Sequence, residues 1–465
     1  MPDIATRQRP TALVIGASAA GLFAAAALAD HADVTIVERD TLPNGPEPRR
    51  GVPQARHAHL VWSGGVIAFN DLVPGVVDDA VAKGGRLVHI MGEMVSRAPN
   101  EVWFRRFTSG HHRNLVSSRD LLDSVLRSHV LALKHVTVRQ DTTVLGLEGD
   151  TGRITGVRIR TGDDELTLTA DLLVDASGRG SHAPRWLTDL GLPEVTEREV
   201  NAGVAYATRI YRAPDGTAGS FPLINVQANP AKAPGQGGII LPVEGDRWMV
   251  TLSGTRGGEP TADPEAFVPF ALGLGDPIIG ELLKDAEPLS DVATTRSTAN
   301  RRRYYEKMST WPDGFVVLGD AIAGYNPVYG HGLTVAAQCA LAVRDLLRKQ
   351  LLTAPGTART LQRAAARPVA AAWDLAVGQD ALYPGATDTP PKAVERFLAR
   401  FVDRAVETGA SNPRAMAALL DVMSLEKPAT RLFSPDMLHP MLFGPRKQPL
   451  VGPPITDEER QAATA

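Results

Sequence analysis

The segment Leu13-Val-Ile-Gly16-Ala-Ser18-Ala-Ala20-Gly21 constrains this chain more than any other. A β-type apolar run, Ala12 to Ile15, enters a turn of small residues and leaves it as an Ala-rich helical piece, Leu22 to Ala29. A second β-type run, Val34-Thr-Ile-Val37, follows at once and ends in Glu38. Strand, tight turn, helix and strand in this order open the βαβ unit of a doubly wound α/β sheet. The glycine spacing is G-x-G-x-x-G with Ser18 in the middle place. Gly16 permits the turn, Gly21 lets the helix pack close to the strand, and Ser18 is small enough to leave the backbone near a phosphate. The free N–H groups of the helix end then face a pyrophosphate. Glu38 lies 17 residues past Gly21. An acid there accepts hydrogen bonds from ribose hydroxyls and repels a 2′-phosphate. The expected ligand is therefore the adenosine half of FAD or NAD, with NADP disfavoured. A hydrolase elbow would need G-x-S-x-G, and Ser18 is followed by Ala19, Ala20 and Gly21.

The same stretch imitates a leader, because Arg7 and Arg9 precede an apolar run. Glycines split that run into a strand-like and a helix-like half, which argues for a fold element and against a signal or a membrane span. The rest of the 465 residues holds no other candidate span. A single cysteine, Cys339, excludes an internal disulfide and fits a reducing cytoplasm. A net charge of -3 offers no reason to expect nucleic acid.

Two later stretches repeat the pattern of a buried strand running into a polar turn. Asp171-Leu-Leu-Val-Asp175-Ala-Ser-Gly178 is one, and Gly314-Phe-Val-Val-Leu-Gly319-Asp320-Ala321 is the other. The second leads into Tyr325-Asn-Pro327-Val-Tyr-Gly330-His331-Gly332-Leu333 and a long Ala-rich helix. A Gly-Asp strand end puts a carboxylate at the carboxyl edge of the sheet, where ligands bind. Asp320 there can accept a ribityl hydroxyl. The Pro327–Gly332 turn starts a helix whose positive end suits the flavin N1–C2=O edge.

This set resembles the single-component FAD monooxygenases, departing at Asp175-Ala-Ser-Gly178, where that family more often has adjacent Asp-Gly. Arg119, in Ser-Ser-Arg119-Asp, matches the family arginine near the FAD phosphates. The stretch Arg49-Arg50-Gly51-Val-Pro-Gln54-Ala-Arg56-His57-Ala-His59 is similar to the segment after the second strand in actinobacterial epoxidases of polyether biosynthesis, the lasalocid and monensin types, relatives of squalene epoxidase. The resemblance implies an aromatic-hydroxylase-like fold: a Rossmann-type FAD-binding domain, an inserted antiparallel-sheet substrate domain and a C-terminal helical region. It implies a cofactor site of Gly16, Ser18, Ala20, Gly21, Glu38, Arg39, Arg49, Arg56, His57, Arg119, Val144, Asp320, Pro327, Gly330, His331, Gly332 and Leu333. It also implies epoxidation of a large apolar polyene polyketide in antibiotic biosynthesis. O2 would be the co-substrate, and electrons would come from NAD(P)H directly or through a separate flavin reductase. No catalytic side chain is then expected, because a flavin C4a-hydroperoxide carries the oxygen.

The implied FAD domain comprises residues 1–80, 113–185 and 296–350. The substrate domain comprises 81–112 and 186–295, with strands Ala202–Arg212, Gly237–Val243 and Arg247–Thr255 and further strands from 84–112. Residues 351–465 form the C-terminal helical region and tail: 351–440 read as helices with Pro-rich breaks near 384–391, and the tail from 445 reads as fraying. Trp103, Phe104, Tyr206 and Ile210 are candidate substrate contacts. The pairs His57/His59 and His111/His112 have no carboxylate or cysteine at ligand spacing, so no metal is expected. Hydroxylation of an aromatic or polyketide substrate is the nearest rival. A prenyl-type reductase or a non-redox flavoprotein is more distant. A flavin halogenase would carry W-x-W-x-I-P, and the six tryptophans form no W-x-W pair.

Overall fold

A computed structural model describes residues 9–217, 219–388, 393–443 and 447–463. Arg7 and the proline-rich residues 389–391 lie outside the described residues. A parallel five-stranded sheet has the order Phe315–Val317, Leu172–Asp175, Thr11–Ile15, Asp33–Val37, Val136–Arg139. Its central strands are buried along almost their whole length, as a sheet covered on both faces requires. The helices Ala19–Leu28, Arg119–Leu131 and Gly332–Leu347 pack together beside it. The first has the composition for close approach, with six alanines and a glycine in ten residues. An antiparallel meander, Thr142–Gly149, Ile154–Thr161 and Asp164–Thr169, continues from the edge strand.

A second sheet has six strands in the order Ala293–Thr295, Ala205–Arg212, Arg247–Gly254, Gln236–Val243, Leu223–Val226, Met94–Arg97. Every pair is antiparallel except the last. Its first long strand starts three residues later than expected, because Gly203 at φ 66° turns the chain before it. Only Met94–Arg97 of the 84–112 segment joins this sheet. Arg86–His89 pairs instead with Arg113–Val116, in a separate sheet that includes Leu60–Val61. The short helix Ile90–Glu93 turns the chain between the two strands and sends them to different partners.

The C-terminal region is helical: Thr357–Asp380, Ala393–Gly409, Pro413–Met423, Pro435–Phe443 and Asp457–Ala462. The tail, expected to fray, carries the short helix Asp457–Ala462 among its described residues. Thr456 and Glu459 form a reciprocal capping box, and Glu459 accepts a hydrogen bond from Arg106 Nη1 at 2.7 Å. No helix among the described residues is long and apolar enough to cross a membrane.

Candidate active site

The phosphate turn is built as its spacing demands. Gly16 has φ 96°, and a Cβ on Gly21 would stand 1.8 Å from the Gly16 carbonyl oxygen, so no other residue lets helix and turn approach this closely. Glu38, at the end of the second strand, is nearly enclosed. Its Oε2 accepts from Ala17 N at 2.7 Å and Arg49 Nη2 at 2.9 Å, and its Oε1 from Asp40 N at 3.0 Å. Arg49 Nη1 also donates to Ala17 O at 2.8 Å. Arg49 thus locks the ribose-facing acid to the phosphate turn. Arg119 heads its helix with Nη2 3.3 Å from Ser18 Oγ and Nε 2.7 Å from Asp123 Oδ1. It places a fixed cation beside the turn.

At the other end, Asp320 follows the strand Phe315–Val317. Its carboxylate faces the cavity, and no hydrogen bond from the described residues reaches it; Arg179 Nε is 3.8 Å away. Burial pushes its pKa up, with Arg179 opposing. Asn326 to Gly330 form one 3-10 turn, closed by Gly330 at φ 66°. The helix Gly332–Leu347 then starts toward the cavity, which Gly332 and Leu333 line. His331 Nε2 donates to Met423 O at 2.9 Å, so one face of that turn is tied to the C-terminal helices. Burial brings His331 down to about 4. His57 Nδ1 lies 2.8 Å from Thr208 Oγ1. Burial, helped by Arg56, brings His57 down to about 4 as well.

One continuous cavity of about 1560 Å³ joins these elements. Gly16, Ser18, Ala20, Glu38, Arg39, Arg49, His57, Arg119, Val144, Asp320, Pro327, Gly330, His331, Gly332 and Leu333 all line it. Gly21 lies behind the wall and acts through packing. Arg56 does not line the cavity: it ends the exposed turn Pro53–Arg56 and points to solvent. Asp175 does not line it either. Its Oδ1 accepts from Ser177 N at 2.9 Å and its Oδ2 from Ser181 Oγ at 2.5 Å, so the Asp175-Ala-Ser-Gly178 departure has become an internal brace, and Ala176 to Gly180 form the wall. The set fits FAD. A carboxylate that receives no hydrogen bond from the described residues stands where a ribityl chain needs an acceptor, an arginine stands by the phosphate turn, and a helix start faces the far end.

The cavity exceeds what one drug-sized ligand fills. Beyond the cofactor elements, Tyr206 and Phe104 line it, whereas Trp103 and Ile210 do not. Trp103 is 3% exposed and packs in the core around Ala207 and Tyr211. Phe104, its neighbour in an extended segment, turns the opposite way. Ile210 shares a strand face with Tyr206 but sits farther along, packed among Leu241 and Met249.

Several lining residues escape sequence reading. The C-terminal helices supply an apolar wall that includes Phe401, Met416, Leu419 and Leu432. Asp380, the last residue of its helix, accepts from Asn300 Nδ2 at 2.6 Å, Asn326 Nδ2 at 2.9 Å and the Tyr329 hydroxyl. Tyr206 OH donates to Asn326 Oδ1 at 2.7 Å. Burial raises Asp380, opposed by these three donors, and no cation is bonded to it among the described residues. The apolar stripes of 393–423 could have signalled the wall, but nothing local marks Asp380. The histidine expectation also needs correction. Asp421 and Glu426 stand against His111 and His112, carboxylates brought from more than 300 residues away by folding.

The FAD binding domain family matches residues 9–375. Protein Rv3254 of Mycobacterium tuberculosis is 32% identical over 434 residues, covering 84% of this chain and 89% of that protein. Among solved structures, PqsL of Pseudomonas aeruginosa, described as a probable FAD-dependent monooxygenase, aligns over 82% of this chain and all of its own, with a TM-score of 0.59 and 20% identity. The p-nitrophenol 4-monooxygenase PnpA of Pseudomonas putida DLL-E4 covers 89% of this chain and 99% of its own at 0.62 and 14%. The flavin-dependent brominase Bmp2 covers 89% and 93% at 0.63 and 15%, so the fold is shared with halogenating enzymes too. With its phosphate turn, Gly-Asp strand end and family match in agreement, the chain belongs to the FAD binding domain family and has the fold of the flavin-dependent monooxygenases.

Proposed function

We propose that this protein is an FAD-dependent monooxygenase that epoxidises C=C bonds of a large apolar polyene polyketide, in the biosynthesis of a polyether antibiotic. The observation that carries this reading is the cavity itself. It runs from the FAD elements into a chamber walled by Ile90, Met91, Met94, Phe401, Leu419 and Leu432. The overall reaction takes alkene, O2, NAD(P)H and a proton to epoxide, water and NAD(P)+. When bound, FAD supplies the O2 activation. The chain's residues hold the alkene and exclude water. His57 and His331 are neutral at physiological pH and bring no charge to the chamber. An alkene needs no base or nucleophile from the protein, and the apolar wall provides none. Electrons come from NAD(P)H, directly or through a separate flavin reductase.

One observation favours hydroxylation as the second reading. Tyr206, Asn326, Tyr329 and Asp380 form a polar cluster on the cavity wall, able to receive a phenolic hydroxyl. PqsL and PnpA are named as monooxygenases, the latter of p-nitrophenol. The two readings separate in one experiment. Reduced holoenzyme is mixed with 18O2 and either a linear apolar triene or a phenol, and products are read by mass. Epoxidation adds one labelled oxygen per double bond to the triene. Release of hydrogen peroxide with the triene unchanged, or a labelled catechol alone, rejects it.

A further inference from the structure

His111 and His112 precede the strand Arg113–Val116, and their rings lie 4.0 Å apart at 30°. Both Nε2 atoms turn toward the same two carboxylates. His111 Nε2 is 2.8 Å from Glu426 Oε2 and 4.0 Å from Asp421 Oδ1. His112 Nε2 is 3.3 Å from Asp421 Oδ1 and 4.0 Å from Glu426 Oε1. One ligand atom from each of the four residues falls within 4.8 Å of every other. A tetrahedron with metal bonds of about 2.0–2.1 Å has edges of about 3.3 Å, and these separations bracket that value.

The surroundings hold the carboxylates in place. Asp421 turns its other oxygen, Oδ2, to Lys427 Nζ at 3.0 Å and Arg431 Nε at 2.7 Å. Glu426 Oε1 accepts from Ser63 Oγ. Outer hydrogen bonds of this kind fix the orientation of carboxylate ligands. His112 is fully buried and Asp421 nearly so, while the His111 side chain is 59% exposed and leaves a path for an ion. Counting Asp421, Glu426 and Asp436 against Lys427 and Arg431, the group carries one net negative charge before any ion enters. None of the four residues lines the active-site cavity.

We propose that His111, His112, Asp421 and Glu426 bind a divalent transition-metal ion, with zinc the best match to two imidazoles and two carboxylates. The ion acts as a staple. It joins the body of the protein to the end of helix Pro413–Met423 and the turn after it, the region that also receives His331 at Met423. Closing a loop of this length at one point is where a metal clip stabilises most.

The test uses full-length holoenzyme treated with a chelator and dialysed, then titrated with zinc chloride against a chromophoric competitor. One zinc per chain is expected, with a higher Tm in its presence. His111→Ala changes an exposed side chain, so it should keep the fold and flavin content. It should weaken zinc binding by about 100-fold or more. Glu426→Gln, which preserves shape, should do the same. Cobalt(II) added to the wild type should give tetrahedral bands to the red of the flavin absorption, absent in both variants. The proposal is overturned if wild-type chain binds no zinc, or binds it no more tightly than His111→Ala; the cluster is then a hydrogen-bonded clamp alone.

Discussion

Single residues at the cofactor end make the sharpest claims. Asp320 has no hydrogen-bonded protein partner among the described residues and faces the cavity, so its task lies with the ligand. Asp320→Ala should lower flavin occupancy of the purified chain by about tenfold, the cost of one hydrogen bond to a charged acceptor. The ratio of flavin to protein absorbance checks this, and unchanged occupancy would remove Asp320 from the site. Arg49 is different, because it is 4% exposed in its side chain and bonded to an equally enclosed Glu38. Arg49→Leu leaves that carboxylate buried and uncompensated, which should cost about 3–5 kcal/mol in urea unfolding. Histidines set an acid limit. His57, His59 and His331 are held down to about 4, all chiefly by burial, against 6.5 when unfolded. The unfolded chain therefore binds more protons between these values. Stability is full above pH 6.5 and falls toward pH 4, by about 1.4 kcal/mol per unit for each group. Tm measured from pH 7.5 to 5 should drop, and His57→Gln should make the drop shallower. An equal slope in both proteins would show that His57 is charged in the fold.

Among elements, the turn from Asn326 to Gly332 depends on a helix that ends far from it in sequence. Asp380 binds Asn300, Asn326 and Tyr329 at once. Asp380→Ala orphans buried donors and should destabilise by about 1–3 kcal/mol for each group left unpaired. It should also loosen flavin, whereas Asp380→Asn keeps part of both; a flavin affinity unmoved by Ala would show the brace to be irrelevant to the turn. The elements carrying the cofactor were largely legible in the sequence, because each is a local pattern: a strand, a small-residue turn and a helix. Four of the five parallel strands, all but Val136–Arg139, and the three long antiparallel strands read out for the same reason. Ile210 was misplaced because period-two alternation gives a face, not a position along it, and Trp103 because, beside Phe104 in an extended segment, it takes the core face and not the cavity face. Arg56 was misplaced because resemblance fixes a segment but not the direction of each side chain. Asp380, and the carboxylates beside His111 and His112, were invisible because only tertiary contact unites them.

At the scale of the molecule, the chamber is assembled from chain ends that are distant in sequence. The tail helix Asp457–Ala462 docks through Arg106 and Glu459, a pair about one-fifth exposed, and through Ala463 in the second core. Deleting residues 447–465 should cost on the order of 1 kcal/mol for the pair and more for the lost burial. A lower urea midpoint with intact flavin checks this, and an unchanged midpoint would mean the tail is only laid on the surface.

The order in which the cofactor cradle is completed has a consequence for how the protein is made. The phosphate turn at Gly16 leaves the ribosome first, yet Asp320 and Gly332 emerge only after about two thirds of the chain. The contact from His331 to Met423 waits longer still. The parallel sheet itself lacks its edge strand until Phe315–Val317 is synthesised. Cofactor capture is therefore a late event of biogenesis, and nascent chains halted before residue 320 should emerge colourless however much flavin the cell holds.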